Sequence, residues 1–372
     1  MFSRFRPRIS PIMFDVGAAG IRAFQAVARG PHLSARDSLR LDLLPSQHET
    51  DGEPAPPDYS RLARLVGQGS FAGHDVGLVL SPPEVRFCAL RLPKKALDQP
   101  QQRVREALAW EVAREMRADA HDLEVRYWQL PPRHQQGVNV MAVALPIKQA
   151  LAWHQSLTQH RLRLRRIDVS PCALVHVACR MWTPADNELW GVLDLGLRRA
   201  TLTVVLGRVP AYIRSLPAAA GQWTRRLAEA FEVSPREAEE IKRAHGIRPG
   251  DRGIREPHPG QPLLNADDIP SVVFGLLREP LSDLIREINL CFSYVMQNFP
   301  DVSVSRLLLA GGGANLRGLP EAIEQQLGIA VAPLTAVPGA APAPWERPLP
   351  GTTLQPQAAA AVGGAILDVE SR

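Results

Sequence analysis

Cysteine is scarce in this chain, with four among 372 residues. Cys88, Cys172, Cys179 and Cys291 form no Cys-x-x-Cys pair, which argues against a zinc ribbon or a disulfide scaffold and fits a reducing compartment. Long apolar runs are also missing, so no transmembrane helix is predicted. The basic start MFSRFRPRIS is not followed by the apolar run of a signal peptide. We therefore expect a cytoplasmic protein that reaches a membrane only through a partner.

Lysine is nearly absent, because arginine supplies almost all of the 43 basic residues. Against 38 acidic residues the formal net charge is +5, and the positive charge is spread along the chain. The seven tryptophans are not interleaved with basic residues, so no nucleic-acid partner is predicted. The composition, 45% hydrophobic and 22% charged, is that of a globular protein. The length suggests two to three domains.

Two segments share an Asp-x-Gly pattern between short apolar runs. The first, PIMFDVGAAGIRAF, contains Asp15 and Gly17, and the second, LWGVLDLGLRRATLTV, contains Asp194 and Gly196. Each pattern predicts a β-hairpin. The two aspartates are 179 residues apart, close to half the chain. This distance predicts two similar halves rather than a solenoid, whose repeats span about 20–50 residues.

A third feature is a buried strand, VSRLLLA, that runs directly into Gly311, Gly312 and Gly313. A helix is predicted behind it at 319–327. The apolar patterns predict further elements as follows: a helix at 59–66, strands at 75–80 and 85–92, an insert of helix, strand, strand and helix at about 95–165, one helix over 221–245, a long helix over 269–298, and a closing helix over 357–369.

These three features together favour a nucleotide site. A tight turn points backbone N–H groups outwards, and an adjacent aspartate can hold a metal-bound water, so the hairpins suit a polyphosphate. A glycine turn offers bare backbone against which a base or ribose can lie. One Asp-x-Gly alone is also an ordinary hairpin turn, and it is their occurrence in this order that points to a nucleotide.

The order DVGAAGIRAF, IDVSPCAL, LDLGLRRATLTV, SPREAEEIKR and LLLAGGGANLRGL resembles the actin-like ATPase superfamily. Within it, the chain resembles the branch that contains the type IV pilus assembly family PilM and the division protein FtsA. The resemblance implies an α/β, two-lobed actin-like fold, a duplicated ribonuclease-H-like fold with an inserted subdomain in the first lobe. The implied domains are residues 1–94 and 166–188 for the first-lobe core (1A-like), 95–165 for the insert (1C-like), and 189–372 for the second lobe (2A-like core), with a 2B-like helical insert at about 214–300.

The resemblance also implies the residues that line a nucleotide cleft. The two hairpins would be the phosphate loops, and the Ala-Glu-Glu-Ile-Lys stretch and the glycine turn would enclose ribose and adenine. The implied cofactors are ATP and Mg²⁺, the metal being held through bound water by Asp15 and Asp194. The implied nucleotide-binding residues are Asp15, Gly17, Arg22, Asp194, Gly196, Thr201, Glu239, Lys242, Gly311, Gly312, Gly313 and Asn315.

Both phosphate loops depart from the family pattern. Ala18, Ala19 and Gly20 stand where relatives usually carry small hydroxyl residues, and Leu-Arg-Arg-Ala replaces the small residues of the second loop. These two arginines either bind phosphate or, with the leucine, occlude it. Ser170 takes the place of an acidic residue, with Asp168 nearby, and losing such a group commonly costs about 10²–10⁴ in rate. We therefore expect no efficient ATPase and assign no catalytic residue.

The function implied by the resemblance is that of a scaffold in a type IV pilus or related secretion machine. It would dock the cytoplasmic peptide of a PilN-like bitopic membrane protein in a groove beside the insert, which recruits it to the inner-membrane face. Other pilus or secretion proteins are further candidate partners. Three alternatives stay open: an FtsA-like filament protein, although no C-terminal amphipathic helix is present; an active ATPase or sugar or acetate kinase; and a GspL-like secretion protein, which would continue into a transmembrane helix.

Two clusters favour simpler interpretations. Cys172, His176 and Cys179 share one face of a helix, and their apolar neighbours favour an ordinary core helix over a metal site. The arginines at 161–166 and at 4–8 favour a solvated face over an acidic partner or lipid headgroups.

Overall fold

Two mixed sheets form the frame of the molecule in this computed structural model. It describes residues 7–29, 32–42, 59–131, 139–248, 269–299, 301–334 and 355–371. The N-terminal Arg4 and Arg6 lie outside these ranges. So do residues 46–58, whose polar, Pro-rich sequence predicts a surface loop, and most of the Pro/Ala-rich residues 333–356. Within them, no helix has the length and apolarity needed to cross a membrane.

The described residues form strands and helices in the following chain order. The strands are β1 (Arg8–Ile9), β2 (Ile12–Gly17), β3 (Gly20–Arg29), β4 (His32–Asp42), β5 (Asp75–Leu80), β6 (Arg86–Leu90), β7 (Leu123–Gln129), β8 (Val140–Pro146), β9 (Arg163–Val169), β10 (Leu189–Leu195), β11 (Ala200–Leu206), β12 (Val209–Leu216), β13 (Val304–Ala310) and β14 (Ala330–Pro333). The helices are α1 (Tyr59–Gln68), α2 (Lys94–Leu97), α3 (Gln101–Met116), α4 (Ile147–Gln159), α5 (Ser170–Met181), α6 (Ala220–Phe231), α7 (Pro235–His245), α8 (Ile269–Asn298), α9 (Leu319–Leu327) and α10 (Ala359–Ser371).

The two large sheets repeat one topology. The first has the order β4-β3-β2-β5-β9, with β1 also pairing with β3, and the second has the order β12-β11-β10-β13-β14. In each sheet the first three strands pair with one another in antiparallel fashion. The last two are parallel to the third, which is β2 in the first sheet and β10 in the second. The helices correspond too, because α4 and α9 precede the last strand of their sheet, and α5 and α10 follow it. The predicted duplication and both predicted hairpins are confirmed.

A layer made by α5 and α10 lies between the two sheets. Its core joins Met13 and Phe24 of the first sheet to Trp190 and Leu308 of the second. The two helices approach closely at Gly363, where an added Cβ would lie 2.1 Å from the carbonyl oxygen of Ala173. Because this layer belongs to both sheets, the C-terminal helix ties the two halves into one folded unit.

A separate three-stranded sheet forms the insert of the first lobe. Its order is β6-β8-β7, and α3 packs over it through Val104, Leu108 and Val112, one stripe of the helix. The sequence expectation placed this insert at 95–165. However, β6 precedes residue 95, and α4 packs its Trp153 and Leu157 into the core of the first sheet. We therefore propose boundaries of 86–146 for the insert.

Two further segments differ from the sequence prediction. The single helix expected over 221–245 is two helices, because Glu232 adopts a left-handed conformation (φ 53°) that ends α6. Ser234 then caps α7 in a reciprocal capping box with Glu237. The sequence prediction also missed β4, an edge strand paired with β3. Its apolar residues Leu33, Ala35, Leu39 and Leu41 alternate with polar ones and pack into the cores beside the first sheet.

Candidate nucleotide cleft

Asp15 and Asp194 occupy equivalent places in the two hairpins. Each lies near the end of a central strand, and each is paired with the residue seven positions later, which is Arg22 in the first hairpin and Thr201 in the second. Ligands of open α/β sheets bind outside the carboxyl ends of the parallel strands. The two predicted phosphate loops therefore lie at the carboxyl ends of the central strands, where a ligand is expected.

The two aspartates and Arg22 form one charged cluster that spans the lobes. Burial raises the pKa of Asp15 to about 7, repulsion from Asp194 adds to this rise, and Arg22 opposes it. Burial likewise raises the pKa of Asp194 to about 6 against the attraction of Arg22. The side chain of Arg22 is 7% exposed, and its Nη1 donates to the carbonyl oxygen of Gly20 at 3.1 Å. Burial thus disfavours the ionised form of both carboxyls, and a cation bound beside them would favour that form.

The tip of the second hairpin is closed by its own hydrogen bonds. The N–H of Gly196 donates to the carbonyl of Arg199 at 2.9 Å. The N–H groups at the start of α6 donate back to this hairpin, from Ala220 to the carbonyl of Gly196 at 3.0 Å and from Gly221 to that of Leu197 at 2.8 Å. Free N–H groups at a helix start are good phosphate donors. Here they already have acceptors, so the second loop offers little to a phosphate.

The glycine turn after β13 closes against the second hairpin. Gly311 has φ 79°, and a Cβ there would lie 2.5 Å from Oδ1 of Asp194, so both its backbone conformation and its surroundings require glycine. Its N–H donates to the carbonyl of Pro356, just before α10. Asn315 Nδ2 donates to Oε1 of Gln357 at 2.6 Å. The turn is thus fixed by the hairpin on one side and the C-terminal helix on the other.

A buried ion pair of α7, between Lys242 and Glu239, lies beside this turn and is hydrogen-bonded to α6. Lys242, 5% exposed, lies 2.5 Å from Oε2 of Glu239 and donates to Oγ1 of Thr224 at 2.7 Å. Burial would raise the pKa of Glu239, but Lys242, Thr224 and Arg243 outweigh it and hold that pKa below its usual value. Burial lowers the pKa of Lys242, and Glu239 opposes this. The polar groups predicted to hold a ribose are therefore engaged with one another.

The space between this pair and the glycine turn is small. Its volume is about 10 Å³, room for about one water molecule. An adenine and its ribose do not fit there in this conformation. The lining residues are Trp223, Glu239, Lys242, Arg243, Gly312, Gly313, Asn315 and Leu316.

The sequence-predicted residues fall into two groups joined by the glycine turn. Asp15, Arg22 and Asp194 form the charged cluster, with Gly17, Gly196 and Thr201 in the same two hairpins. Glu239, Lys242, Gly312, Gly313 and Asn315 line the small cavity. Gly311 joins the groups through its contact with Asp194.

Sequence reasoning missed several residues of this region. Trp223 lines the cavity and Thr224 bonds to Lys242 because α6 packs against α7, and Gln357 reaches Asn315 because α10 returns to β13. Glu84 adds to the rise in the pKa of Asp15. These contacts depend on elements far apart in the chain, so no local pattern could have indicated them.

The residues therefore fit one end of a nucleotide and not the other. The carboxylates of Asp15 and Asp194 suit a Mg²⁺ ion with its water ligands. The second hairpin, its α6 donors and the small cavity do not suit the phosphates and nucleoside in the conformation described. The two aspartates, which are close enough to repel one another, support the first point, and the 10 Å³ cavity supports the second.

The predicted core helix with Cys172, His176 and Cys179 is α5. His176 Nε2 lies 2.8 Å from Oε2 of Glu370 on α10, and both cysteines are free thiols. Burial raises the pKa of Cys172 to about 12, which keeps it protonated and a poor metal ligand. No cluster of three or more His, Cys, Asp or Glu side chains suited to a metal occurs among the described residues.

The duplicated strand order, the helices between the sheets and the cleft lined by two aspartate hairpins define an actin-like fold. No family model matches the chain, and neither does any curated protein sequence. Among solved structures, it is similar to a chain of the PilM-PilN type IV pilus biogenesis complex, with a TM-score of 0.73 and 21% identity over 97% of this chain and 98% of that chain. The predicted resemblance to PilM is confirmed at the level of the fold.

Two other solved structures have lower scores. MreB5 of Spiroplasma citri bound to AMPPNP has a TM-score of 0.48 and 12% identity over 99% of this chain and 97% of that chain. The ethanolamine utilization protein EutJ from Carboxydothermus hydrogenoformans has a TM-score of 0.46 and 15% identity over 98% and 91%.

Proposed function

We propose that this chain is a scaffold of a type IV pilus or related secretion machine. It docks the cytoplasmic peptide of a PilN-like bitopic membrane protein beside its insert and thereby acts at the inner-membrane face. The observation that carries this proposal is the similarity to the PilM-PilN complex, at a TM-score of 0.73 over 97% of one chain and 98% of the other. A match of that extent leaves little of either chain for a different architecture.

The insert is the part of the chain best suited to capture a peptide. It is a three-stranded sheet whose outer strands, β6 and β7, each pair only with β8 among the described residues. An extended peptide can add to such an edge through backbone hydrogen bonds, and side-chain pockets then give specificity. The second sheet also has outer strands, so the lobe that receives the peptide is what an experiment must decide.

The peptide-docking proposal is tested by titrating the full chain with the synthetic cytoplasmic peptide of the PilN-like partner in a calorimeter, with a scrambled peptide as the control. A photo-crosslinker in the peptide then locates it. We expect saturable binding and crosslinks within 86–146. Crosslinks confined to the second lobe, or equal binding of the scrambled peptide, would contradict the proposal.

We further propose that the cleft is a degenerate nucleotide site with no efficient ATPase activity. Support comes from the α6 donors engaged by the second hairpin, from the Lys242–Glu239 pair and from the small cavity. Any ATP and Mg²⁺ would be held by Asp15, Asp194 and the glycine turn after the cavity has widened. The bound metal would balance the carboxylates, and Arg22 would neutralise phosphate charge.

This second proposal is tested by ATP binding and turnover with Mg²⁺, on the wild type and on Asp194→Ala. We expect turnover far below the usual range for enzymes, which is about 1–10³ s⁻¹. Steady turnover within that range, abolished in the variant, would establish an ATPase or kinase. ATP-dependent light scattering from polymers would favour the filament alternative.

A further inference from the structure

A second cavity, of about 330 Å³, opens on the insert. Ligand pockets start at about this size. It lies where the first turn of α3 meets the end of β7, far in the sequence from the residues of the cleft. Its lining residues are Gln101, Arg105, Arg126, Tyr127, Trp128 and Gln129.

The position of this cavity follows from the strand residues that line it. Four consecutive residues of β7, from Arg126 to Gln129, contribute to it. Successive side chains of a strand point to opposite faces of the sheet, so all four can meet one cavity only around the strand's outer edge. Among the described residues that edge is unpaired, since β7 pairs with β8 alone. The cavity therefore opens onto free backbone N–H and C=O groups.

The cavity carries positive charge and no acidic residue lines it. Burial, and next to it repulsion from Arg105, lower the pKa of Arg126. Arg126 also forms an exposed ion pair with Glu124. Arg105 has no ion pair with a residue that the structure describes. Two guanidinium groups on one cavity favour a carboxylate, which a guanidinium can bind with two parallel hydrogen bonds.

The aromatic wall of the cavity is held in place from both sides. Trp128 contacts Phe87 edge to face, with ring centroids 6.4 Å apart, and its Nε1 donates to the carbonyl oxygen of Pro210 at 2.8 Å. Phe87 belongs to the insert and Pro210 to β12 of the second lobe. The wall is thus fixed where the insert meets the second lobe, so little side-chain order would be lost on binding.

We propose that this cavity receives an extended acidic segment of a partner protein, whose backbone pairs with the free edge of β7 and whose Asp or Glu carboxylate lies between Arg105 and Arg126. The inference rests on the proposed function, because it names the place and the chemistry of peptide capture by the insert. The apolar atoms next to that carboxylate would pack against Tyr127 and Trp128.

The test is a selection of random heptapeptides against the full chain, followed by fluorescence anisotropy of the selected peptides. We expect them to share one acidic position. Replacing that residue by its amide should weaken binding about tenfold or more, as the loss of a charged hydrogen bond does. The variants Arg105→Gln and Arg126→Gln should weaken binding of the acidic peptide to the same extent and leave the amide peptide unaffected. Arg103→Gln, on α3 but outside the cavity, is the matched control.

Hydrogen exchange gives a second readout that does not depend on a variant. Bound peptide should slow the exchange of amides in β7 and leave those of β12 unchanged. Selected peptides that bind with no acidic preference, or whose binding ignores both arginine variants, would overturn this inference and leave the proposed peptide docking intact. If no peptide is selected, this inference fails, and the calorimetric titration with the PilN-like peptide decides the proposed function separately.

Discussion

The two hairpins share one register at their aspartates but differ in chemistry. In each, the residue paired with the aspartate lies seven positions later. In the first hairpin that residue is a buried arginine, Arg22, and in the second it is Thr201. The loop of the second hairpin is also hydrogen-bonded to the start of α6. The comparison teaches that the duplicated backbone sets the geometry of the cleft, whereas a few side chains decide what the cleft can hold.

The largest expected effect is on the free energy of unfolding, and it concerns whether the two lobes unfold as one unit. Gly363→Val places side-chain atoms against the carbonyl of Ala173 in the layer shared by both sheets. We expect a loss of more than about 4 kcal/mol in the free energy of unfolding, measured by urea denaturation with probes in both lobes.

The matched control is Gly67→Ala, at an exposed position of α1 where a Cβ meets nothing within 4 Å. It should be neutral or stabilising by up to about 1 kcal/mol. Separate transitions of the two lobes in the wild type, where the layer is intact, would show that the layer does not couple them.

The next largest effect is expected in the first hairpin, which has a buried charge where the second hairpin has a threonine. Arg22→Met leaves Asp15 and Asp194 without their neighbouring cation. We expect a loss of about 3 kcal/mol at pH 8 and a smaller loss at pH 5, where both carboxyls hold protons. Thr201→Val, at the equivalent position, should cost about 1 kcal/mol at both pH values. Equal losses at both pH values for the arginine variant would contradict the charged cluster.

The pH dependence of stability gives a third test. An aspartate titrates near 3.9 in an unfolded chain, but the pKa is about 7 for Asp15 and about 6 for Asp194 in the folded protein. Between pH 4 and 7 the folded state therefore binds more protons, so these groups lower the free energy of unfolding as the pH rises.

The two aspartates should act in different parts of that range. Asp15→Asn should flatten the profile from pH 6 to 7 by about 1 kcal/mol per pH unit, whereas Asp194→Asn should act mainly below pH 6. Carboxyl ¹³C chemical shifts followed against pH check the assignment. Midpoints near 4 for both residues would show that burial does not raise either pKa.

The smallest effect concerns the edge of the first sheet. Asp75 accepts ion pairs from Arg163 at 2.7 Å and Arg165 at 3.2 Å, all with exposed side chains. Asp75→Asn should cost less than about 1 kcal/mol and less still in high salt. A larger loss would contradict the interpretation of the arginines at 161–166 as a solvated face.

Much of the fold was predictable because its signals are local. The hairpins, the strand before Gly311 and the long α8 follow from apolar runs, turn residues and glycines. The break between α6 and α7 was also written in the sequence as Ser-Pro-Arg-Glu, a capping box, but the helical periodicity on both sides concealed it. The strand β4 was missed although Leu33 and Ala35, then Leu39 and Leu41, alternate with polar residues. A bulge between the two pairs interrupts the alternation, and the two pairs join different cores.

The candidate site divides in the same way. The resemblance of their motifs predicted its residues, which lie in two groups joined by the glycine turn. The bond of Lys242 to Thr224 on α6, the closure of α6 on the second hairpin and the contact of Gln357 with Asn315 were beyond sequence reasoning. Each joins residues of different elements, so the distance between them depends on how those elements pack.

By itself, the sequence determined the duplication, the positions of the two aspartates and the elements that carry them, since these depend on residues close together in the chain. Only the tertiary structure decided that the small cavity is too narrow for a nucleoside, that Arg22 stands between carboxylates of both lobes, and that β7 leaves a free edge beside two arginines. The physical reason is that burial, charge balance and free strand edges are properties of neighbours in space, which the order of residues alone does not fix.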